Sequence, residues 1–285
     1  MHSFVAAGLL ALGIVSLALA APLDLVAAEN VYGDIARQIG GSDVRVTSIL
    51  TSPTQDPHEF EASAATARSI ADAMLVVYNG ADYDPWVVKL LAASKSSSRA
   101  VIEVAKLARK KSGDNPHLWY EPTAMSRLAA ALSAELTRLD PAHRDDYARR
   151  LATFEVSMGK LLGKIAALRR KYAGTPITAT EPLFDYMADA LGLTMRNGRF
   201  QLAVMNGTEP SAKAIAAFES DLRKRRVKVL LYNTQTSQPL AERMHAIAGE
   251  SGVPVVAITE TEPPDQRYQE WMAAQLDALE RALGP

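Results

Sequence analysis

The chain has no cysteine among its 285 residues. Disulfide bonds are therefore excluded as a source of stability, and so is a lipid anchor attached to a cysteine at the processing point. The charge is nearly balanced, with a formal net charge of −1 at pH 7. We accordingly expect neither a nucleic-acid partner nor a basic membrane-binding face. Stability has to come from the apolar core, for which a hydrophobic content of 48% is ordinary.

Histidine is scarce, with five copies in the chain, yet two of them share one context. His58 follows Asp56-Pro57, and His117 follows Asn115-Pro116, each beyond a strand-like apolar run. A repeated Pro-His pair among so few histidines indicates a metal site built from loops. The other three are interpreted as structural or exposed residues of the leader and of predicted helices: His2, His143 and His245.

The first residues differ in kind from the rest of the chain. Residues 5–19 are almost wholly apolar, but this run is too short to span a bilayer comfortably. It ends in Ala18-Leu19-Ala20, and Val26-Ala27-Ala28 offers a second cleavage pattern. We interpret residues 1–28 as a signal peptide and expect the mature protein in the periplasm. An uncleaved anchor is the alternative, because no Lys or Arg precedes the apolar run.

Strand-like and helix-like segments alternate through residues 29–139 and again through 173–285, which predicts βα units with parallel sheets. Between them, apolar residues recur every three or four positions from Tyr147 to Tyr172. We predict an α/β protein of two βα domains joined by one long rigid helix over residues 140–172. The alternative is that this helix lies in the core of a single domain. Residues 201–205 are predicted as a strand.

Ligands of open parallel sheets bind at loops beyond the carboxyl ends of the strands. His58 and His117 follow predicted strands of the first half, and Glu181 and Glu260 follow strands of the second half. Two ligands from each half would place a metal ion in the interdomain cleft. Glu262 lies close behind Glu260 and competes for the same role. Residues that could orient a ligand are expected on nearby loops, at Asn79, Asn233, Thr234 and Gln235.

Five short motifs, in this order, resemble those of the metal-specific solute-binding proteins of ABC importers for zinc and manganese. They are Asp56-Pro57-His58-Glu59-Phe60-Glu61, Tyr78-Asn79-Gly80, Asp84-Pro85-Trp86, Asn115-Pro116-His117-Leu118-Trp119 and Tyr232-Asn233-Thr234-Gln235. The resemblance extends over essentially the whole mature chain. It implies two βα domains joined by a long helix, an ion held between them, and delivery of that ion to a membrane permease powered by a cytoplasmic ATPase.

By position, the resemblance makes His58 and His117 the first two histidine ligands. Glu181 stands where many zinc-binding members have histidine and some manganese or iron members have glutamate, and Glu260 stands where aspartate is usual. Two imidazoles and two carboxylates suit Mn²⁺ or Fe²⁺, whereas the Irving–Williams order favours Zn²⁺. We therefore expect a divalent transition metal as transported ligand, Zn²⁺ or Mn²⁺, with Fe²⁺ as a further candidate. The expected partner is an ABC permease, and the protein is expected to be a monomer.

We expect no catalysis, because four protein ligands would leave little room for an activated water. The sequence contains no His-Glu-x-x-His motif, no Ser-His-Asp pattern and no glycine-rich phosphate loop. A secreted metal-dependent hydrolase remains an alternative, with Glu59 or Glu262 as general base. A binder of a small organic ligand is the other alternative, and the metal content of the purified protein distinguishes it.

Overall fold

The computed structural model describes residues 21–54, 56–236 and 238–284. The N-terminal half contains β1 (Leu23–Glu29), α1 (Asn30–Gly40), β2 (Val44–Leu50), α2 (Ala64–Asp72), β3 (Leu75–Tyr78), α3 (Pro85–Ala93), β4 (Ala100–Glu103), α4 (Val104–Leu107) and α5 (Pro122–Leu139). A long helix, α6 (Arg144–Tyr172), follows a short 3₁₀ turn. The C-terminal half contains β5 (Pro176–Ala179), α7 (Asp185–Leu191), β6 (Thr194–Arg196), α8 (Gly198–Met205), α9 (Ala212–Arg223), β7 (Leu230–Asn233), α10 (Pro239–Glu250), β8 (Val255–Ile258) and α11 (Tyr268–Leu283).

Each half is built on a parallel sheet. The strand order is β2-β1-β3-β4 in the first half and β6-β5-β7-β8 in the second. All of these strand pairs are parallel, so the carboxyl ends within each sheet lie along one edge. The predicted α/β architecture of two βα domains joined by one long helix is confirmed. The loops beyond these strand ends are where the candidate ligands lie.

Helix α6 packs against both halves of the protein. It contacts α1 and α5 in the first half and α7 and α11 in the second. Its buried residues recur at helical spacing, from Tyr147 through Phe154 and Met158 to Leu168. Acidic residues begin the helix and basic residues end it, which suits the helix dipole. One hydrophobic cluster runs through both halves along this face, so the helix connects the domains by packing as well as by chain.

The first strand, β1, is not predicted by the sequence analysis. β1 pairs with β2 on one side and β3 on the other, so it occupies an inner position of its sheet. The expected boundary between residues 28 and 29 falls inside β1, and the N-terminal sheet includes residues 23–28, which were assigned to the leader. Hydropathy does not separate an apolar strand from the apolar run of residues 5–19 that precedes it. The earlier part of the expected leader, residues 1–20, lies outside the described residues.

The predicted strand at residues 201–205 is wrong, because these residues belong to α8. Phe200 and Val204 lie one helical turn apart and are buried in a second hydrophobic cluster with Phe218 and Leu222. A short apolar run does not distinguish a strand from a buried helix. The edge strand comes earlier, as β6, whose exposed and half-buried residues carry little apolar signal. Over the described ranges, no helix combines the length and the apolar character needed to cross a bilayer.

The inner position of β1 predicts where the folded chain can begin. A protein that starts at Ala21 keeps β1 and should unfold cooperatively, as followed by circular dichroism in urea. A protein that starts at Glu29 loses the strand between β2 and β3 and should show no cooperative transition. Equal urea midpoints for the two proteins would contradict this prediction.

Candidate metal centre

Two histidines and a glutamate converge beyond the sheet edges. His58 lies in a 3₁₀ turn, Pro57–Glu59, after β2, and His117 precedes a second 3₁₀ turn, Leu118–Tyr120. Glu260 follows β8 in the other half. One potential ligand atom from each of the three lies within 4.8 Å of the other two. Three of the four ligands expected from the sequence are therefore brought together.

The local sequence explains the position of His58. Asp56 begins the turn, and its carboxylate accepts a hydrogen bond of 2.9 Å from the backbone N–H of His58. Pro57 occupies the first position of the turn, where its fixed φ angle is favourable and its missing N–H is not needed. The ring of His58 packs edge-on against Tyr83, with centroids 5.1 Å apart.

The imidazole of His117 presents a free lone pair toward the centre. Its Nδ1 lies 2.7 Å from the amide oxygen of Asn115, which can only accept, so Nδ1 carries the proton. The other nitrogen, Nε2, is buried and has no hydrogen-bond partner among the described residues. A buried polar atom without a partner is costly. A cation bound at Nε2 would remove that cost, so the residues present fit a metal ion.

Glu260 supplies the negative charge at the centre. Its Oε2 lies 3.5 Å from Nε2 of His58 and 3.6 Å from Nε2 of His117. The same oxygen accepts a hydrogen bond of 2.8 Å from the hydroxyl of Tyr83. Burial acts to raise the pKa of Glu260, but His117 and His58, when protonated, and the Tyr83 hydroxyl outweigh it and lower that pKa to about 2. Burial lowers the pKa of His117. A carboxylate and a neutral imidazole are the forms in which these side chains bind metals.

Glu181 is buried beside this group and is not a member of it. The side-chain amide of Asn233 joins the two carboxylates, since its Nδ2 donates to Glu181 Oε2 and to Glu260 Oε1, each at 3.0 Å. Burial and the charge of Glu260 raise the pKa of Glu181 to about 7. Glu181 and His58 also line a cavity of about 360 Å³ that leads to the centre. Glu181 therefore adjoins the centre through the shared amide of Asn233.

Glu262, the competing candidate, lies elsewhere. The charged groups around its carboxyl are Asp34, Arg37 and Glu270, and burial raises its pKa to about 9. It does not belong to the group formed by His58, His117 and Glu260. Of the two glutamates in this loop, Glu260 is the one at the centre.

Three of the four expected orienting residues contact the centre or its loops. Asn233 holds both carboxylates, and the amide oxygen of Gln235 accepts from the backbone N–H of Glu260 at 2.7 Å. Asn79 donates to the carbonyl of Pro116, directly before His117, at 2.9 Å. Thr234 is different, because its hydroxyl is directed to the carbonyl of Ile258.

Two residues that act on the ligands were not expected from the sequence. Tyr83 binds Glu260, and Asn115 binds His117. The sequence offered a signal for each of them. Tyr83 directly precedes the Asp84-Pro85-Trp86 motif, and Asn115 begins the second Pro-His motif. The remaining described histidines lie outside the centre: His143 is bonded to Asp140, and His245 stacks on Tyr232 with centroids 4.6 Å apart.

Comparisons with known proteins identify the family of this chain. Residues 25–282 match the family described as the zinc-uptake complex component A, periplasmic (ZnuA). The chain is 23% identical to the manganese ABC transporter substrate-binding lipoprotein PsaA of Streptococcus pneumoniae serotype 4, covering 92% of this chain and 89% of PsaA. It is 24% identical to the zinc-binding lipoprotein AdcA of the same organism, covering 87% of this chain but only 53% of AdcA.

The fold has a close counterpart among solved structures. The periplasmic zinc-binding protein TroA from Treponema pallidum superposes with a TM-score of 0.79 at 17% sequence identity. The match covers 93% of this chain and all of TroA (100%). At this identity the similarity shows the shared fold, and the residues of the centre have to be assessed in this chain.

The contact between Asn115 and His117 can be tested by removing the acceptor and then restoring it. Asn115→Ala leaves Nδ1 without its partner and should weaken Zn²⁺ binding by roughly 10- to 100-fold, the usual cost of losing such a partner. Asn115→Asp keeps an acceptor oxygen and should retain most of the affinity. Isothermal titration with Zn²⁺ measures both, and equal affinities for Asn115→Ala and the unmodified protein would contradict the assigned role.

Proposed function

Because this chain belongs to the ZnuA family, the periplasmic component A of zinc-uptake complexes, we propose that it captures one divalent transition-metal ion and delivers it to an ABC import permease. The observation that carries this proposal is the buried Nε2 of His117, which faces Glu260 and His58 without a hydrogen-bond partner among the described residues. The relatives named for zinc and for manganese support the same class of cargo.

The proposed ligands are His58, His117, Glu181 and Glu260. His58 and His117 come from the N-terminal half, and the two glutamates come from the C-terminal half, so the ion would lie between the domains. Two carboxylates neutralise a divalent cation, which limits the cost of burying it. The cation would also offset the repulsion between Glu181 and Glu260, which now share the amide of Asn233.

The cargo is proposed to be Zn²⁺ or Mn²⁺, with Fe²⁺ as a further candidate. Oxygen-rich ligation favours Mn²⁺ and Fe²⁺, while raw affinity in the Irving–Williams order favours Zn²⁺. A site with four protein ligands leaves no open position for an activated water, so we propose a binding protein without catalytic activity. We further propose that it acts as a monomer and has no nucleic-acid partner.

The mature protein is proposed to act in the periplasm after removal of a signal peptide. The first pattern, Ala18-Leu19-Ala20, is preferred as the processing point because β1 begins at Leu23 and needs its residues. The domains are proposed as residues 21–139 and 173–285, joined by a linking segment over 140–172. Only the start of the first domain differs from the sequence expectation, at residue 21 in place of residue 29.

The function is tested by a competition titration of the metal-free protein with Zn²⁺ and Mn²⁺, with bound metal counted by elemental analysis. One equivalent of either ion per protein is expected. Negligible binding of both ions would overturn the proposal and favour a small organic ligand. Hydrolysis of ester or peptide substrates by the zinc-loaded protein, abolished with Glu59→Gln, would favour the hydrolase alternative instead.

The three converged ligands can be tested by substitution. His58→Ala, His117→Ala and Glu260→Gln should each weaken Zn²⁺ binding by about 100-fold, equivalent to about 2.8 kcal/mol at 1.4 kcal/mol per factor of ten. His245→Ala is the control, because this exposed histidine lies against Tyr232, outside the centre. Unchanged affinity in His117→Ala would contradict the assignment.

Glu181 needs a test of its own because it is buried beside His58, His117 and Glu260 but does not belong to their group. Glu181→Gln removes one charge at nearly constant volume and should weaken Mn²⁺ binding more than Zn²⁺ binding, since Mn²⁺ prefers carboxylate oxygen. Glu59→Gln is the matched control, as Glu59 is exposed and lines the same cavity. If Glu181→Gln bound both ions like the Glu59→Gln control, Glu181 would not be a ligand.

A further inference from the structure

The loop that carries Glu260 belongs to the C-terminal half by sequence but is bonded to the N-terminal half. Asn30, the first residue of α1, contacts it with both ends of its carboxamide. The Asn30 Nδ2 donates to the carbonyl of Glu262 at 2.7 Å, and the Asn30 Oδ1 accepts from the backbone N–H of Glu262 at 3.1 Å. This reciprocal pair joins residues 232 positions apart in the chain.

Other bonds from the N-terminal half hold the same loop. The hydroxyl of Tyr120 lies 2.8 Å from the carbonyl oxygen of Thr259 and 2.7 Å from Oε1 of Gln275, and both oxygens can accept its hydrogen bond. The hydroxyl of Thr261 donates to the carbonyl of Ser52 at 3.2 Å. With the bond from Tyr83 to the Glu260 carboxylate, each of the four residues 259–262 is bonded across the domain boundary. Gln235 and Asn233 bind the same loop from the C-terminal half, so the loop is held between its own domain and the domain that carries both histidines.

We propose that Asn30 is a positioning residue for the metal centre, which fixes the Glu260 loop on the N-terminal domain so that Glu260 stands beside His58 and His117 before an ion arrives. Asn30 has no hydrogen bond to the side chain of Glu260 in the described structure and acts through the backbone of Glu262. Its role rests on the proposed function, since it presumes that these three residues bind metal.

The physical reason is pre-organisation. A ligand on a free loop has to be ordered when the ion binds, and that ordering reduces affinity. Here the ordering occurs when the domains fold together. The contact also requires a carboxamide, because a single side chain has to donate to one backbone group and accept from another. Alanine can do neither, and the N–H and C=O of the largely buried Glu262 would then lose their partner.

Gln38 offers a matched control on the same helix. Its carboxamide also bridges the halves, through bonds of 3.0 and 3.2 Å to Gln269 of α11, and it binds Asp34 within α1. It has no bond to residues 259–262 among those described. Gln38→Ala therefore removes a carboxamide contact between α1 and α11 and leaves the Glu260 loop bonded.

The experiment compares the unmodified protein, Asn30→Ala and Gln38→Ala with Co²⁺ and Zn²⁺ as probes. Asn30→Ala should weaken Zn²⁺ binding by roughly 10- to 100-fold, the range expected when a residue that orients a metal ligand is lost. It should also change the visible absorption of bound Co²⁺, which reports the ligand geometry, because Glu260 is no longer held in place. Gln38→Ala should keep the affinity and the Co²⁺ spectrum of the unmodified protein even where its melting temperature falls.

Each other outcome is decisive in a different way. If the unmodified protein binds neither ion, the proposed function itself fails. If it binds and Asn30→Ala keeps its affinity and its Co²⁺ spectrum, the positioning role is overturned. Equal losses in Asn30→Ala and Gln38→Ala would also overturn it, because any weakened contact between α1 and α11 would then suffice. Should Asn30→Ala fail to fold, Asn30→Asp keeps the acceptor for the backbone N–H of Glu262 and loses the donor to its carbonyl, and an unchanged Zn²⁺ affinity and Co²⁺ spectrum in that variant would overturn the positioning role.

Discussion

The centre depends on the electrostatic match between one buried carboxylate and the imidazoles that face it. Glu260 is almost fully buried, yet its pKa is held at about 2 by His117, His58 and the hydroxyl of Tyr83. A charge in such a place is costly unless it is compensated. The neighbouring imidazole of His117 keeps one nitrogen without a partner among the described residues. A divalent cation at this point would face the carboxylate of Glu260 and the unpartnered nitrogen of His117 together.

The scaffold makes this pocket possible by bringing strand ends from two sheets together. Parallel strands place their carboxyl ends along one edge, and α6 packs on both halves through one continuous apolar cluster. A helix held along its whole length resists bending more than a flexible linker does. The bonds between α1 and the loop after β8 add a polar connection near the centre. The loops that carry His58, His117 and Glu260 are therefore anchored on packed strands and helices.

Buried polar groups around the centre form hydrogen bonds that hold its loops in place. Asp84 accepts from the backbone N–H groups of Asn79 and Gly80, and Asn79 in turn donates to the carbonyl before His117. Tyr32 donates to the amide oxygen of Asn79. This chain of hydrogen bonds ends at the carbonyl of Pro116, directly before the proposed ligand His117. Such networks restrict side chains to one arrangement when every member is satisfied.

Periodicity and short motifs were sufficient to predict the two βα halves, the long helix and the three residues that converge, His58, His117 and Glu260. They sufficed because apolar spacing reports which faces are buried, and because strand-end loops are the expected ligand positions in parallel sheets. Local patterns did not reveal β1, which follows another apolar run in the sequence, or α8, whose apolar run is too short to show its period. Contacts between distant residues could not be predicted from the sequence either. Packing across the two halves places Glu260, and not Glu262, beside the histidines. The same packing creates the contacts by which Tyr83, Asn115 and Asn30 hold the loops of the centre.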